Sequence, residues 1–277
     1  MNRRVSIAHL TALETSPPDL VYMAADAGFS GVGIRMIGIA ADATAWPLMN
    51  DKAMLRATIA ACRHTGLIIP DIEFIRLTPE LDVKTLEPFV EAGAELGAKY
   101  IIAAPYDPDR DRLAGKLAEL NATAQRYDIN CVLEFFPWAN VPDLTSAMDV
   151  IARTTDPNIG ILVDSLHFDR SGAPWETLAK VAPERLPFCH LSDAEACTSH
   201  ELEALLFVAR ENRLPPGEGD LDLIRFLTAL PPGCQITVEI PNAAQIQAYG
   251  TAAWLKQICA ATHRLLAHLP TAVETHP

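Results

Sequence analysis

The sequence predicts an α/β fold, a single-domain (β/α)8 barrel. Three observations predict it. Eight short apolar or β-branched runs recur along the 277 residues, and helix-like stretches separate them. The runs start 26 to 36 residues apart, with one gap of 49 before the last. A βα unit needs about 30 residues. Strict alternation implies a parallel sheet, and eight units favour a closed barrel over an open doubly wound sheet. The first run is not followed by a GxGxxG turn, so a dinucleotide-binding fold loses its main support. With no Pro/Ser-rich linker, residues 1–277 read as one domain.

The elements follow in order. Val5–Leu10 is the first strand, too short and too interrupted by His9 for a signal-peptide core. Asp19–Ala27 is a helix stopped by Gly28, and Gly31–Met36 is the second strand. Lys52–Thr65 places Met54, Leu55, Ile59 and Cys62 along one helical face and ends at Gly66. Strands over Leu67–Leu77, Tyr100–Tyr106, Ile129–Pro137, Ile159–Phe168 and Leu186–Asp193 follow, interleaved with helices over Val83–Leu96, Arg112–Tyr127 and Leu144–Arg153. The long gap holds an extra segment, Ala196–Gly219, and a helix over Asp220–Leu230. Strand Gln235–Asn242 and helix Ala252–Leu269 complete the pattern. Loops after strand C-termini build the active sites of such barrels, so the enlarged seventh loop is expected to touch substrate.

Composition narrows the function. Hydrophobic residues make up 49% and charged residues 21%, which excludes a disordered chain. The net charge of −13 disfavours a nucleic-acid partner. No apolar run approaches the roughly 20 residues of a membrane span. Six cysteines without a CxxC pair read as free thiols in a reducing cytoplasm.

Four strands end in a metal-ligand residue type: Glu134 on the fifth, Asp164 on the sixth, His190 on the seventh and Glu239 on the eighth. Side chains alternate across a strand. Ile236, Val238 and Ile240 face the helices, so Glu239 faces the barrel axis; Ile161 and Val163 face out, so Asp164 faces in. Each residue alone reads as a loop acid or a core histidine. Together, three carboxylates and an imidazole at one barrel mouth would repel and desolvate each other, and one divalent cation removes that conflict. The oxygen-rich donor set suits Mn2+ or Mg2+ foremost, with Co2+ and Zn2+ also possible.

Leu133-Glu134, Asp164-Ser-Leu-His167, His190-Leu-Ser-Asp193, Glu211-Asn-Arg213-Leu-Pro-Pro-Gly-Glu-Gly219 and Val238-Glu239 resemble the xylose isomerase-like TIM barrels, the sugar phosphate isomerase/epimerase group, over nearly the whole chain. The resemblance implies Glu134, Asp164, His190 and Glu239 as metal ligands and His167 and Arg213 as substrate contacts. His167 lies where the chain leaves the strand end, within reach of a substrate oxygen. Arg213 offers a fixed cation with a forked donor set. Asp193 is either an acceptor that orients His190 or a solvated loop acid. Trp138, in a segment that departs from the family's epimerases, either walls the pocket or packs under a loop. Glu73 or Asp71 binds a substrate hydroxyl or forms a salt bridge inside the barrel. His9 has the same two readings, and Trp46 is a pocket wall or a loop anchor.

The first functional reading is a metal-dependent isomerase or epimerase of a keto-sugar or related polyol, with Glu134, Glu239 and His167 as catalytic groups and an enediolate intermediate. The alternative is a dehydratase acting on a dehydroshikimate-like or inosose-like ring, in which the enolate expels a β-hydroxyl. A DNA-repair endonuclease of this fold would need more histidines and a basic face. A non-catalytic barrel would not need the ligand quartet. The implied partner is a small sugar or polyol, with no nucleic acid and no membrane; a homo-oligomer is left open.

Overall fold

The computed structural model describes residues 4–40 and 43–269, so the ends of the single-domain assignment, 1–3 and 270–277, lie outside the described residues. The strands are β1 (Val5–Ile7), β2 (Gly31–Val32), β3 (Ile34–Arg35), β4 (Asp71–Leu77), β5 (Tyr100–Pro105), β6 (Asn130–Glu134), β7 (Gly160–Asp164), β8 (Phe188–Leu191) and β9 (Gln235–Val238). All pairings are parallel, in the order β2-β1-β9-β8-β7-β6-β5-β4-β3. β2 and β3 are halves of one strand on either side of Gly33, so the eight predicted strands close into a barrel. The first half pairs with β1 and the second with β4, and at the changeover a Cβ on Gly33 would lie 2.4 Å from Asp71 Oδ1, which favours glycine beside the buried acid.

The helices form where the sequence predicts, within a few residues. Asp51 caps Lys52–Thr65 by accepting from the amides of Ala53 and Met54, and Asp109 caps Arg110–Gln125 in the same way; each supplies an acceptor for amides that the first turn leaves without one. Gly66 ends the former helix with φ of +78°, a conformation that costs glycine little. Three α-helices go beyond the sequence reading: Ser165–Arg170 replaces the end of the strand expected over Ile159–Phe168. Leu202–Glu211 lies inside the enlarged loop, and Ala243–Tyr249 follows β9.

Strand parity sorts two cores. Ile101, Cys131, Leu133, Ile161, Val163, Cys189, Ile236 and Val238 pack outward in the large core with the helices. Ile102, Ala104, Val132, Leu162 and Phe188 fill the barrel interior with Phe74 and Phe136. A register shift between Ile72 and Ile75 accompanies the inward position of Phe74. The apolar interior floors a polar mouth, because the next inward residues along β6, β7 and β8 are Glu134, Asp164 and His190. None of the six cysteines is joined in a disulfide. Among the described residues no helix is long and apolar enough to cross a membrane.

Candidate metal centre

Several strands end early, and this shapes the site. β7 stops at Asp164, whose Oδ1 caps the short helix Ser165–Arg170 by accepting from the amides of Leu166 (2.7 Å) and His167 (3.1 Å). The carboxylate is therefore fixed by backbone, and His167 is turned over the mouth. β9 stops at Val238, and Glu239 follows with its amide bonded to the Leu191 carbonyl at 3.1 Å.

Ligand atoms of Glu134, Asp164, His190 and Glu239 all lie within 4.8 Å of one another, and all four residues are buried. His190 Nδ1 is 3.6 Å from Glu134 Oε1, 3.7 Å from Glu239 Oε2 and 4.0 Å from Asp164 Oδ2. Neither His190 nitrogen has a hydrogen-bond partner among the described residues, nor does Glu134 Oε1. Buried polar atoms are seldom left this way. Three carboxylates and an imidazole converging here, with Glu134 Oε1 and both His190 nitrogens left unpartnered, fit one divalent cation in both spacing and chemistry.

The electrostatics carry the same signature. Burial pushes the Glu134 carboxyl up to about 7. Burial lowers the affinity of His190 for a proton, yet Glu239, Glu134 and Asp164 outweigh it and raise the imidazole to about 10. Without a dication, a proton on His190 and the buried Arg213 guanidinium balance the carboxylates. Burial also works against ionised Asp164, but Arg213, His167 and His190 hold its carboxyl well below the usual range.

Arg213 is fully buried. Its Nη1 donates to Asp164 Oδ2 at 2.6 Å, Nη2 lies 3.0 Å from Glu239 Oε2, and Nε donates to the Ala209 carbonyl at 2.8 Å. The expected substrate contact does reach the cavity wall, but most of its donors are committed to two of the quartet. Asp193 departs from the expectation that it orients His190. Its carboxylate accepts from the amides of Ala194 (2.9 Å), Gly217 (2.9 Å) and Leu221 (3.1 Å) instead. It fastens the loop that carries Arg213. A Cβ on Gly219 would sit 2.5 Å from Asp193 Oδ1 and from the Ala194 carbonyl, so that loop closes only with glycine there.

Above the quartet lies a cavity of about 210 Å3, lined by Glu134, Glu239, His167, Arg213, Trp138 and Arg35 among others. His167 stands edge-on to Phe136 and Trp138, with centroids 5.0 and 5.1 Å away. Burial lowers its pKa to about 3, so the imidazole is neutral. Trp138 is thus a pocket wall. Trp46 is a loop anchor: its Nε1 donates to the Leu13 carbonyl at 2.9 Å and its ring stacks on His9. Glu73 is 1% exposed and bound to Arg35 Nη2 at 2.8 Å, the salt bridge that was one of its two readings; it stands behind the wall. Sequence reasoning missed Arg35. The signal was a lone charge at the end of an apolar strand, directly in register with Glu73 of β4.

A family model described as "Xylose isomerase-like TIM barrel" matches residues 21–258. The chain belongs to that family. An inosose isomerase of Bacillus velezensis is 29% identical over 158 residues, 53% of this chain and 54% of the relative. The chain thus spans about half the length of the curated relatives it matches. Among solved structures, the IolI protein with a binding zinc atom superposes with a TM-score of 0.78 at 20% identity, covering 97% of this chain and 99% of that one. A protein described as the probable 3-DHS dehydratase AsbF of Bacillus anthracis gives 0.76 at 16% identity, covering 94% and 98%. At these identities the structural likeness concerns the fold alone.

Proposed function

We propose that this member of the xylose isomerase-like TIM barrel family is a divalent-metal-dependent isomerase or epimerase of a keto-sugar or keto-cyclitol. The observation that carries the reading is the buried quartet with unpartnered acceptor atoms at the floor of a small cavity. The inosose isomerase relatives support the substrate class. Glu134, Asp164, His190 and Glu239 would hold the cation, which when bound polarises a carbonyl and its neighbouring hydroxyl and acidifies the hydrogen between them. The oxygen-rich donors suit Mn2+ or Mg2+, and the zinc-bound neighbour adds Zn2+ to the set to be tested.

The chain's own groups supply the proton transfers. Glu134 and Glu239 enter the cavity from β6 and from the end of β9, so one removes the proton and the other returns it, on the same or the adjacent carbon. Neutral His167, with its Nε2 4.0 Å from Glu134 Oε1, donates to the substrate oxygen on which negative charge develops. Arg213 holds Asp164 and Glu239 in place. Phe136 and Trp138 keep water from the reacting carbons.

The test is incubation of the Mn2+-loaded protein with ketoses and inososes in D2O, followed by NMR. The expected result is deuterium at the carbon beside the carbonyl, together with an isomeric or epimeric product. An unsaturated product formed with loss of water would instead establish the dehydratase. No exchange with any substrate would overturn proton transfer altogether.

A further inference from the structure

We propose that Arg35, held by Glu73, is a specificity-determining substrate contact that selects an uncharged polyol. The proposal rests on the functional reading above and adds a residue and a charge rule to it.

Arg35 is 4% exposed and lines the same cavity as Glu134, His167 and Glu239. Its position is fixed from three sides. Its backbone amide donates to His9 Nδ1 at 3.1 Å. Burial lowers the His9 pKa to about 4, so the ring is neutral; Nδ1 accepts, and Nε2 carries the hydrogen toward the Thr15 carbonyl 3.0 Å away. Nη2 donates to Glu73 Oε2, and the guanidinium carbon lies 5.4 Å from the centroid of the Phe74 ring. Nε is buried out of reach. Nη1 has no hydrogen-bond partner among the described residues and is not one of the buried atoms, so it is the donor that the guanidinium offers to an oxygen in the cavity.

The charge of that ligand follows from the pairing. Glu73 balances Arg35, and Asp164 and Glu239 balance Arg213. Neither buried arginine has charge left over for a phosphate or a carboxylate. The other cation on the wall, Arg210, is exposed at the rim beside Glu211. Arg35 therefore acts as a directional donor to hydroxyl or carbonyl oxygens. Glu73 is the positioning residue that keeps it from acting as an anion trap.

The test uses the full chain loaded with Mn2+ and an unreactive neutral cyclitol, myo-inositol, against its monophosphate. Affinities are measured by calorimetry, with metal content measured on the same samples. Arg35→Met is expected to keep its metal and bind myo-inositol at least tenfold more weakly. Glu73→Gln is expected to shift the preference at least tenfold toward the monophosphate, a change that a merely structural role for Glu73 would not produce. If Arg35→Met fails to fold, the doubly apolar Arg35→Met/Glu73→Leu variant removes the pair without stranding a charge and is expected to lose affinity for the cyclitol to the same extent. Variants that bind myo-inositol like the wild type, or Glu73→Gln with unaltered preference, would overturn the proposal alone. A wild type that holds Mn2+ yet binds neither myo-inositol nor any ketose would overturn the functional reading and this proposal with it.

Discussion

Asp71 offers a prediction that depends on the interior of the barrel and on nothing catalytic. Its side chain is fully buried beside Gly33, and neither carboxylate oxygen has a hydrogen-bond partner among the described residues. Burial and then the neighbouring Glu73 push its pKa from 3.8 to about 7. Between those values the folded protein keeps a proton that the unfolded chain has lost. Stability therefore falls as pH rises across that window, and a difference of this size corresponds to about 4 kcal/mol in full. Asp71→Asn removes the titration while keeping the shape. The amide brings its own cost of roughly 1–3 kcal/mol if its donors stay unpaired, but that cost does not change with pH. Urea denaturation of both proteins at several pH values, with chelator present so that no dication alters the local charge, isolates the effect. The unfolding free energy of the variant relative to wild type should rise by about 3–4 kcal/mol from pH 4.5 to pH 8.5. A difference independent of pH would refute the argument that Asp71 is buried as the neutral acid.

Two further perturbations probe how the site is held. Arg213→Met leaves Asp164 and Glu239 without their buried cation and should cost the metal-free protein about 3–5 kcal/mol in chemical denaturation, with a smaller loss in metal-saturated protein because a dication takes over the balancing charge. Gly219→Ala forces a Cβ against Asp193 and the Ala194 carbonyl and should lower stability by about 1–3 kcal/mol in thermal unfolding, with metal affinity falling as the Arg213 loop shifts.

Much of this was legible in the sequence, for physical reasons that differ by element. Parity along a strand is rigid, so the inward placement of Asp164 and Glu239 follows from the isoleucines and valines flanking them. Strand ends are less legible. Ile159–Phe168 reads as one apolar run, but Asp164 caps a helix within it, and local capping wins over hydrophobicity. The crowding at Gly33 comes from an acid 38 positions away on another strand. The helix Leu202–Glu211 was legible in principle, since Leu205 and Ala209 lie four apart and are both buried, but it sits in a segment read as an enlarged loop. Arg35 was invisible for a related reason: a single charge in an apolar strand gains meaning only from the cross-strand partner that register supplies. For Asp193, the adjacent motif suggested a partner for His190, while the loop's need for amide acceptors decided the outcome.

The most direct test of the central claim is the metal content of the purified protein, wild type against Glu239→Gln. The account predicts about one equivalent of a divalent metal in the wild type, and loss or marked weakening in the variant, which gives up one of four ligands. Wild-type protein that holds no divalent ion even after reconstitution with Mn2+, Mg2+, Co2+ or Zn2+ would contradict it.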